Sequence, residues 1–286
     1  MNGIDDDGNG YIDDIHGWNF CAKKNGSPLF EVDSRLNHGT HVSGIITSIK
    51  KDGLVNKGIV ENIAIMPIIA VPIKGDEKEE NVAKAIVYAV ENGANVINLS
   101  FVKSVSKEKY LVDSAIKYAE KRNVLIVHAA GNSGENCDSV IHFPNAIFLD
   151  GSKASNFVDV GWSRPDYTKD LVAYSSNYGP LNVDLFAPGT DVFSIFPNQS
   201  FGIKSGTSMA AALTTLVAAL LMSNFPSFSA VQIREILIHS CTKPSFLVTK
   251  PGTTSTLVKF DNLAKSGGIL NAYHAVQLAM EMEKSK

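Results

Sequence analysis

Three short segments, far apart in the sequence, hold side chains whose types suit hydrolysis by a nucleophilic hydroxyl. The first, Asn37-His38-Gly39-Thr40-His41-Val42-Ser43-Gly44, puts a histidine among small neighbours at an expected helix start. The second, Ala129-Ala130-Gly131-Asn132-Ser133-Gly134, follows an apolar strand, so the Asn132 amide falls in a loop at the strand's carboxyl end. Open parallel sheets place ligands along that edge. The third, Ser205-Gly206-Thr207-Ser208-Met209-Ala210, opens an apolar helix with a serine. Unpaired N–H groups and the helix dipole favour negative charge there. Each segment alone also has a plain structural reading: a packed histidine, a turn, a helix cap. Together they supply the parts of a serine hydrolase.

These parts need a rigid frame, and the pattern between them provides one. Asp76 followed by Glu79 reads as a capping box, and Val82, Ile86, Ala89 and Val90 then share one helical face up to Gly93. A short apolar strand over 94–99 follows. The unit repeats with a helix over 107–122, Asn123 as terminator and a strand over 124–127. Helix then buried strand, twice, predicts a parallel sheet covered on both faces. Met209–Met222 is apolar almost all round, as a helix buried inside a domain is. Ser229 caps a further helix ending near His239, residues 243–268 read as loop or hairpin, and a last helix spans 271–284. No tandem repeat or long linker divides the chain, so a single domain is expected over 1–286.

Composition narrows the function classes. With 26 basic and 29 acidic residues the net charge is −3, which gives no basic excess for nucleic acid. The apolar run Met209–Met222 falls short of the roughly 20 residues of a membrane span. Cys21, Cys137 and Cys241 are too scattered for a disulfide framework or a zinc cluster. His41 lies one helical turn from His38, but no further ligand motif accompanies the two, so His41 reads as structural.

The three segments together closely resemble those of the subtilisin-like serine proteases, and the resemblance covers nearly the whole chain. Val96-Ile97-Asn98-Leu99-Ser100 is similar to that family's substrate-flanking strand. Ser175-Ser176-Asn177-Tyr178-Gly179 and Phe186-Ala187-Pro188-Gly189 are similar to its turns. The acidic opening up to Asp14 and the closing Ser266–Tyr273 are similar to exported bacterial members. The resemblance implies a three-layer α/β/α fold with a mainly parallel central sheet. It also implies endopeptidase activity through an acyl-enzyme, and secretion or a periplasmic location. By resemblance His38 is the general base and Ser208 the nucleophile, while Asn132 and the Ser208 N–H form the oxyanion hole. Substrate would be a polypeptide held by a monomer, its main chain added as a strand beside Ser100, Phe101 and Val102. The specificity pocket would lie between that edge and Ala129, Ala130, Gly131 and Asn132.

The sequence departs from the family in several places. The family's triad aspartate ends a strand before the acidic loop, and this chain opens within that loop, over 1–20. The expectation is therefore a domain lacking its first strand and impaired in catalysis. Asp33 is the only local mimic of that acid. Val102 stands where the family has Gly, Ala212 where it has Pro, and Leu216 where it has Gly. These changes leave a catalytically silent peptide-binding module as the alternative to an enzyme. A calcium-dependent structural or adhesive domain is a third reading. Along the opening loop, Asp5, Asp7, Asn9 and Asp13 alternate as hard oxygen donors for structural Ca²⁺, with Gly10 allowing the turn.

Overall fold

The helix–strand alternation builds a parallel sheet in the computed structural model, which describes residues 2–22, 24–25, 37–47, 63–72 and 74–285. β1 (Trp18–Asn19) pairs antiparallel with β2 (Lys24–Asn25); α1 (Asn37–Ile46) follows, and β3 (Ile68–Ile69) lies parallel to β1. Next come α2 (Glu79–Glu91), β4 (Val96–Leu99), α3 (Lys109–Lys121), β5 (Leu125–Ala129), β6 (Phe157–Ser163) and β7 (Leu185–Pro188). Strands β4, β5, β6 and β7 form one sheet in that order, every pair parallel. A hairpin of β8 (Val192–Phe196) and β9 (Ser200–Lys204) leads into α4 (Thr207–Asn224) and α5 (Ala230–His239). The hairpin β10 (Val248–Thr249) and β11 (Leu257–Val258) precedes α6 (Ala272–Lys284), as the loop-or-hairpin reading of 243–268 allows.

Alternation along each strand sorts the core into two layers. Leu125, Val127 and Ala129 face α4, α5 and α6 together with Val158, Val160 and Leu185. Ile126 and Phe157 face the opposite way, packing with Ile86 of α2 and Ile116 of α3. This is the expected α/β/α arrangement. Helix α4 is long and apolar enough to cross a membrane, yet most of it is buried inside the fold, which accounts for its composition. Ala212 and Leu216 are both buried in it, and the helix runs unbroken past them.

The caps are where local pattern and structure part company. Ser229 forms the expected capping box with Gln232, and Asn271 caps α6 through the His274 N–H. Gly93 (φ +82°) and Asn123 (φ +59°) end α2 and α3 as read. The Asp76–Glu79 box does not form, because α2 starts at Glu79 with Lys78 at its N-cap. Glu79 is instead claimed across the fold by Lys103 (3.1 Å), Ser106 Oγ (2.9 Å) and the Lys107 N–H (2.9 Å). Burial opposes its ionisation, but hydrogen bonds from its own backbone, Lys103 and Ser106 hold the carboxyl down at about 2. This pairing anchors the segment that runs on from Ser100 to Lys103.

Candidate active site

Val42, Ile45 and Ile46 of α1 pack against Met209 and Ala212 of α4. That contact sets the helix opening with His38 against the helix opening with Ser208. His38 is half-buried. Burial first, then the positive fields of Lys204 and His41, push its pKa below the ordinary 6.5, which keeps the ring neutral as a base must be. Among the described residues no carboxylate pairs with His38. Asp33 lies outside the described residues. His41 is fully buried; its Nε2 sits 3.3 Å from the Gly202 carbonyl, and its own carbonyl accepts from Ser194 Oγ at 2.8 Å. It is the structural histidine expected.

Ser208 stands in the first turn of α4, 8% exposed. Its Oγ donates to the Ser100 carbonyl at 3.3 Å, and Ser100 Oγ returns a bond to the Ser208 carbonyl at 3.2 Å. Asn98 Nδ2 holds Ser100 Oγ at 2.8 Å, and Thr215 holds Asn98 Oδ1 at 3.0 Å. Across from them, Asn132 Oδ1 accepts from the Thr207 N–H at 2.9 Å and from Thr207 Oγ1 at 3.1 Å. With its oxygen pinned there, the exposed Asn132 side chain turns its NH₂ outward. The Met209 and Ala210 N–H groups both bond the Gly206 carbonyl, and the Ser208 N–H has no partner among the described residues. An amide and a backbone N–H beside one hydroxyl make an arrangement able to hold an oxyanion. Thr207 is essential to this lock and was hidden in the motif as a mere neighbour of Ser208.

The backbone from Ser100 to Lys103 presents alternating edges. Phe101 and Lys103 face inward: the Phe101 carbonyl lies 3.0 Å from His128 Nε2, and Lys103 exchanges two 2.9 Å backbone bonds with Phe143. Ser100 faces Ser208, and Val102, by alternation, shares that open side. The opposite wall of Ala129, Ala130 and Gly131 is braced by Asn177, which donates to the Ala130 carbonyl at 2.9 Å. The same side chain accepts from the Ser133 and Glu135 N–H groups, each at 3.0 Å. A Cβ on Gly131 (φ +108°) would meet Asn177 Nδ2 at 2.5 Å and Val102 Cγ1 at 3.3 Å. The branched Val102 side chain therefore reaches across from one wall to the backbone of the other. The side chain thereby takes up space between the two walls.

The acidic loop is tied internally. Asp5 accepts from the Asn9 (3.1 Å) and Gly10 (2.7 Å) N–H groups, and Asp13 from those of Asn2 (2.8 Å) and Gly3 (2.9 Å). The Gly10 bond, above all, lowers the Asp5 pKa. Asp7 Oδ2 takes the Asn9 amide at 3.0 Å, and Asn9 Oδ1 takes the Tyr11 N–H at 2.8 Å. Among the described residues no group of three or more His, Cys, Asp or Glu side chains is placed to hold a metal ion. As the loop stands, the Asp5 and Asp13 carboxylates turn toward backbone donors within it.

Comparison with known proteins shows the family and the fold. The chain is 31% identical over 240 residues to a thermophilic serine proteinase of Bacillus sp. (strain AK1), covering 84% of this chain and 52% of that protein. It is 31% identical over 208 residues to subtilisin DY of Bacillus licheniformis, covering 72% of this chain and 70% of that one. The chain spans about half the length of the first curated relatives it matches. Among solved structures it is similar to a cold-adapted subtilisin-like serine proteinase (27% identity, TM-score 0.60, covering 77% of this chain and 73% of that chain). A lanthipeptide protease shares the fold at 24% identity and TM-score 0.69, with 92% of this chain and 81% of that chain covered. The subtilase family matches residues 4–268, taking in His38, Asn132 and Ser208 with the sheet that positions them; this chain belongs to that family.

Proposed function

We propose that this chain cleaves peptide bonds in extended polypeptides, with Ser208 as nucleophile and His38 as general base. The observation that carries this reading is the Asn132–Thr207 lock, which sets an amide beside the open Ser208 N–H. Substrate adds as a strand along the Ser100 and Val102 edge, its scissile carbonyl next to Ser208 Oγ. Attack transfers the hydroxyl proton to His38 Nε2, and the oxyanion takes hydrogen bonds from Asn132 and the Ser208 N–H. Collapse of the adduct expels the amine with the proton from His38, leaving an acyl group on Ser208 that water removes. The site acts in a monomer and is placed outside the cytoplasm, in keeping with a relative such as the cell wall-associated protease of Bacillus subtilis (strain 168).

Catalysis by these residues is impaired, in this reading, because His38 has no carboxylate partner among the described residues. The same observation supports the alternative, a peptide-binding module without turnover. Hydrolysis of acetyl-tetra-alanine p-nitroanilide and of acetyl-alanine p-nitrophenyl ester by wild type and Ser208→Ala separates the two. Slow turnover lost in Ser208→Ala supports the enzyme, and turnover identical in both proteins supports the module.

Proton release from His38 sets the acid limb of the pH–rate profile. Rate rises as the ring loses its proton, so the midpoint of kcat/KM for the ester is expected below pH 6.5. Lys204→Ala removes one of the charges that lower it and is expected to move the midpoint up. A midpoint unmoved in that variant means Lys204 does not act on His38.

For the acidic loop the proposal is Ca²⁺ uptake on oxygens that must first release their backbone N–H partners. The chemistry of the donors fits a hard cation. Calorimetric titration of EDTA-treated protein is expected to show saturable uptake, weakened by joint Asp5→Ala and Asp7→Ala. Uptake unchanged in the double variant assigns the ion elsewhere.

A further inference from the structure

Behind the edge that would receive substrate lies a buried ionisable pair with no part in the chemistry above. His128, on β5, is 1% exposed, and Asp159, directly beside it in the β5–β6 register, is 7% exposed. His128 Nδ1 is 3.2 Å from Asp159 Oδ1, and His128 Nε2 is 3.0 Å from the Phe101 carbonyl. A backbone carbonyl can only accept, so Nε2 carries a proton. On the other side Asp159 holds the ring through Nδ1. Asp159 is fixed in turn: its N–H donates to Asp184 Oδ2 at 2.9 Å, and Asp184 pairs with Arg234.

The Phe101 carbonyl is the inward-facing group between Ser100 and Val102, the two residues whose open side meets substrate. Its orientation decides where those neighbours point. We infer that His128, held by Asp159, is a positioning residue that clamps the Phe101 carbonyl from inside the sheet and so fixes the substrate-pairing edge. Tilted packing against the Phe157 ring (5.4 Å between centroids) and the Asp159 contact leave the imidazole little freedom to release it. The inference rests on the peptide-cleavage reading for its consequence, though not for its geometry.

Two substitutions of similar size separate clamping from packing. In His128→Gln the amide reaches the former Nε2 position and can still donate to Phe101. In His128→Asn it reaches only the Nδ1 position, and the carbonyl loses its donor. The KM for acetyl-tetra-alanine p-nitroanilide is expected to rise about tenfold in His128→Asn, the worth of one such hydrogen bond, with kcat nearly unchanged. His128→Gln is expected to stay within about threefold of wild type on the same scale. The acetyl-alanine p-nitrophenyl ester has no upstream residues to pair with the edge, and its KM is expected to move in neither variant. Equal behaviour of the two variants, or an ester KM that rises with the anilide KM, overturns the clamp. The ¹³C resonance of a labelled Phe101 carbonyl is read in parallel, and it is expected to shift in His128→Asn and hold in His128→Gln. If wild type shows no Ser208-dependent turnover, the functional reading fails. The clamp is then judged by that resonance alone, and a Phe101 carbonyl unmoved in His128→Asn overturns it.

Discussion

In the reading proposed above, peptide turnover is expected to run on the order of 10⁴-fold below that of a form with a carboxylate supplied beside His38. The scale is that of a subtilisin deprived of its triad aspartate and is taken over from it. Its cause is general. Without an acid, nothing holds the imidazole in the tautomer that accepts the Ser208 proton, and nothing offsets the imidazolium formed during attack. Among the described residues, Lys204 and His41 act on His38 so as to oppose that imidazolium. What remains is the oxyanion site of Asn132 and the Ser208 N–H, sufficient for slow cleavage of an activated ester. The comparison is between this chain and a form extended upstream by an apolar strand ending in aspartate, each beside its Ser208→Ala variant. Equal peptide turnover in the two forms would mean that an acid within the chain completes the triad. Asp33→Ala would then be the first variant to make.

Val102→Gly is expected to widen the side-chain preference at the cleaved bond. Val102 Cγ1 stands 3.3 Å from where a Cβ on Gly131 would lie, so the side chain takes up space between the two walls. Removing three carbons opens it. For anilides ending in phenylalanine, kcat/KM is expected to rise about 10–100-fold, the range in which a few methylenes of pocket space act. For anilides ending in alanine the change is expected to stay within about threefold. A phenylalanine-to-alanine preference identical in the two proteins would show that Val102 swings clear of the pocket when substrate enters.

Legibility of this fold in its sequence followed the range of each interaction. Short-range signals held: Ser229 with Gln232, Asn271 with His274, and the terminators Gly93 and Asn123 all act within one turn. The layer architecture also followed, because buried parallel strands leave unbroken apolar runs. Where the reading failed, a distant partner had claimed the side chain. Glu79 looks like a capping-box acid until Lys103 and Ser106 take it from across the fold. The strand expected over 124–127 runs from Leu125 to Ala129, because β4 and β6 pair with it on either side. The loop carboxylates of Asp5 and Asp13 suit a cation by type, but their orientation toward backbone N–H groups is geometry that spacing does not encode. At the site, residue identity came from motif and resemblance. The Asn132–Thr207 lock and the reach of Val102 emerged only from the fold.

The account turns on Ser208 carrying the acyl group, and one measurement addresses that directly. Wild type and Ser208→Ala are mixed with acetyl-alanine p-nitrophenyl ester, quenched in acid during turnover, digested with trypsin and weighed by mass spectrometry. The account predicts an acetyl-alanyl adduct on the peptide that begins at Ser205, mapped to Ser208 and absent from the variant. An adduct on another residue, or one that persists in Ser208→Ala, would contradict it.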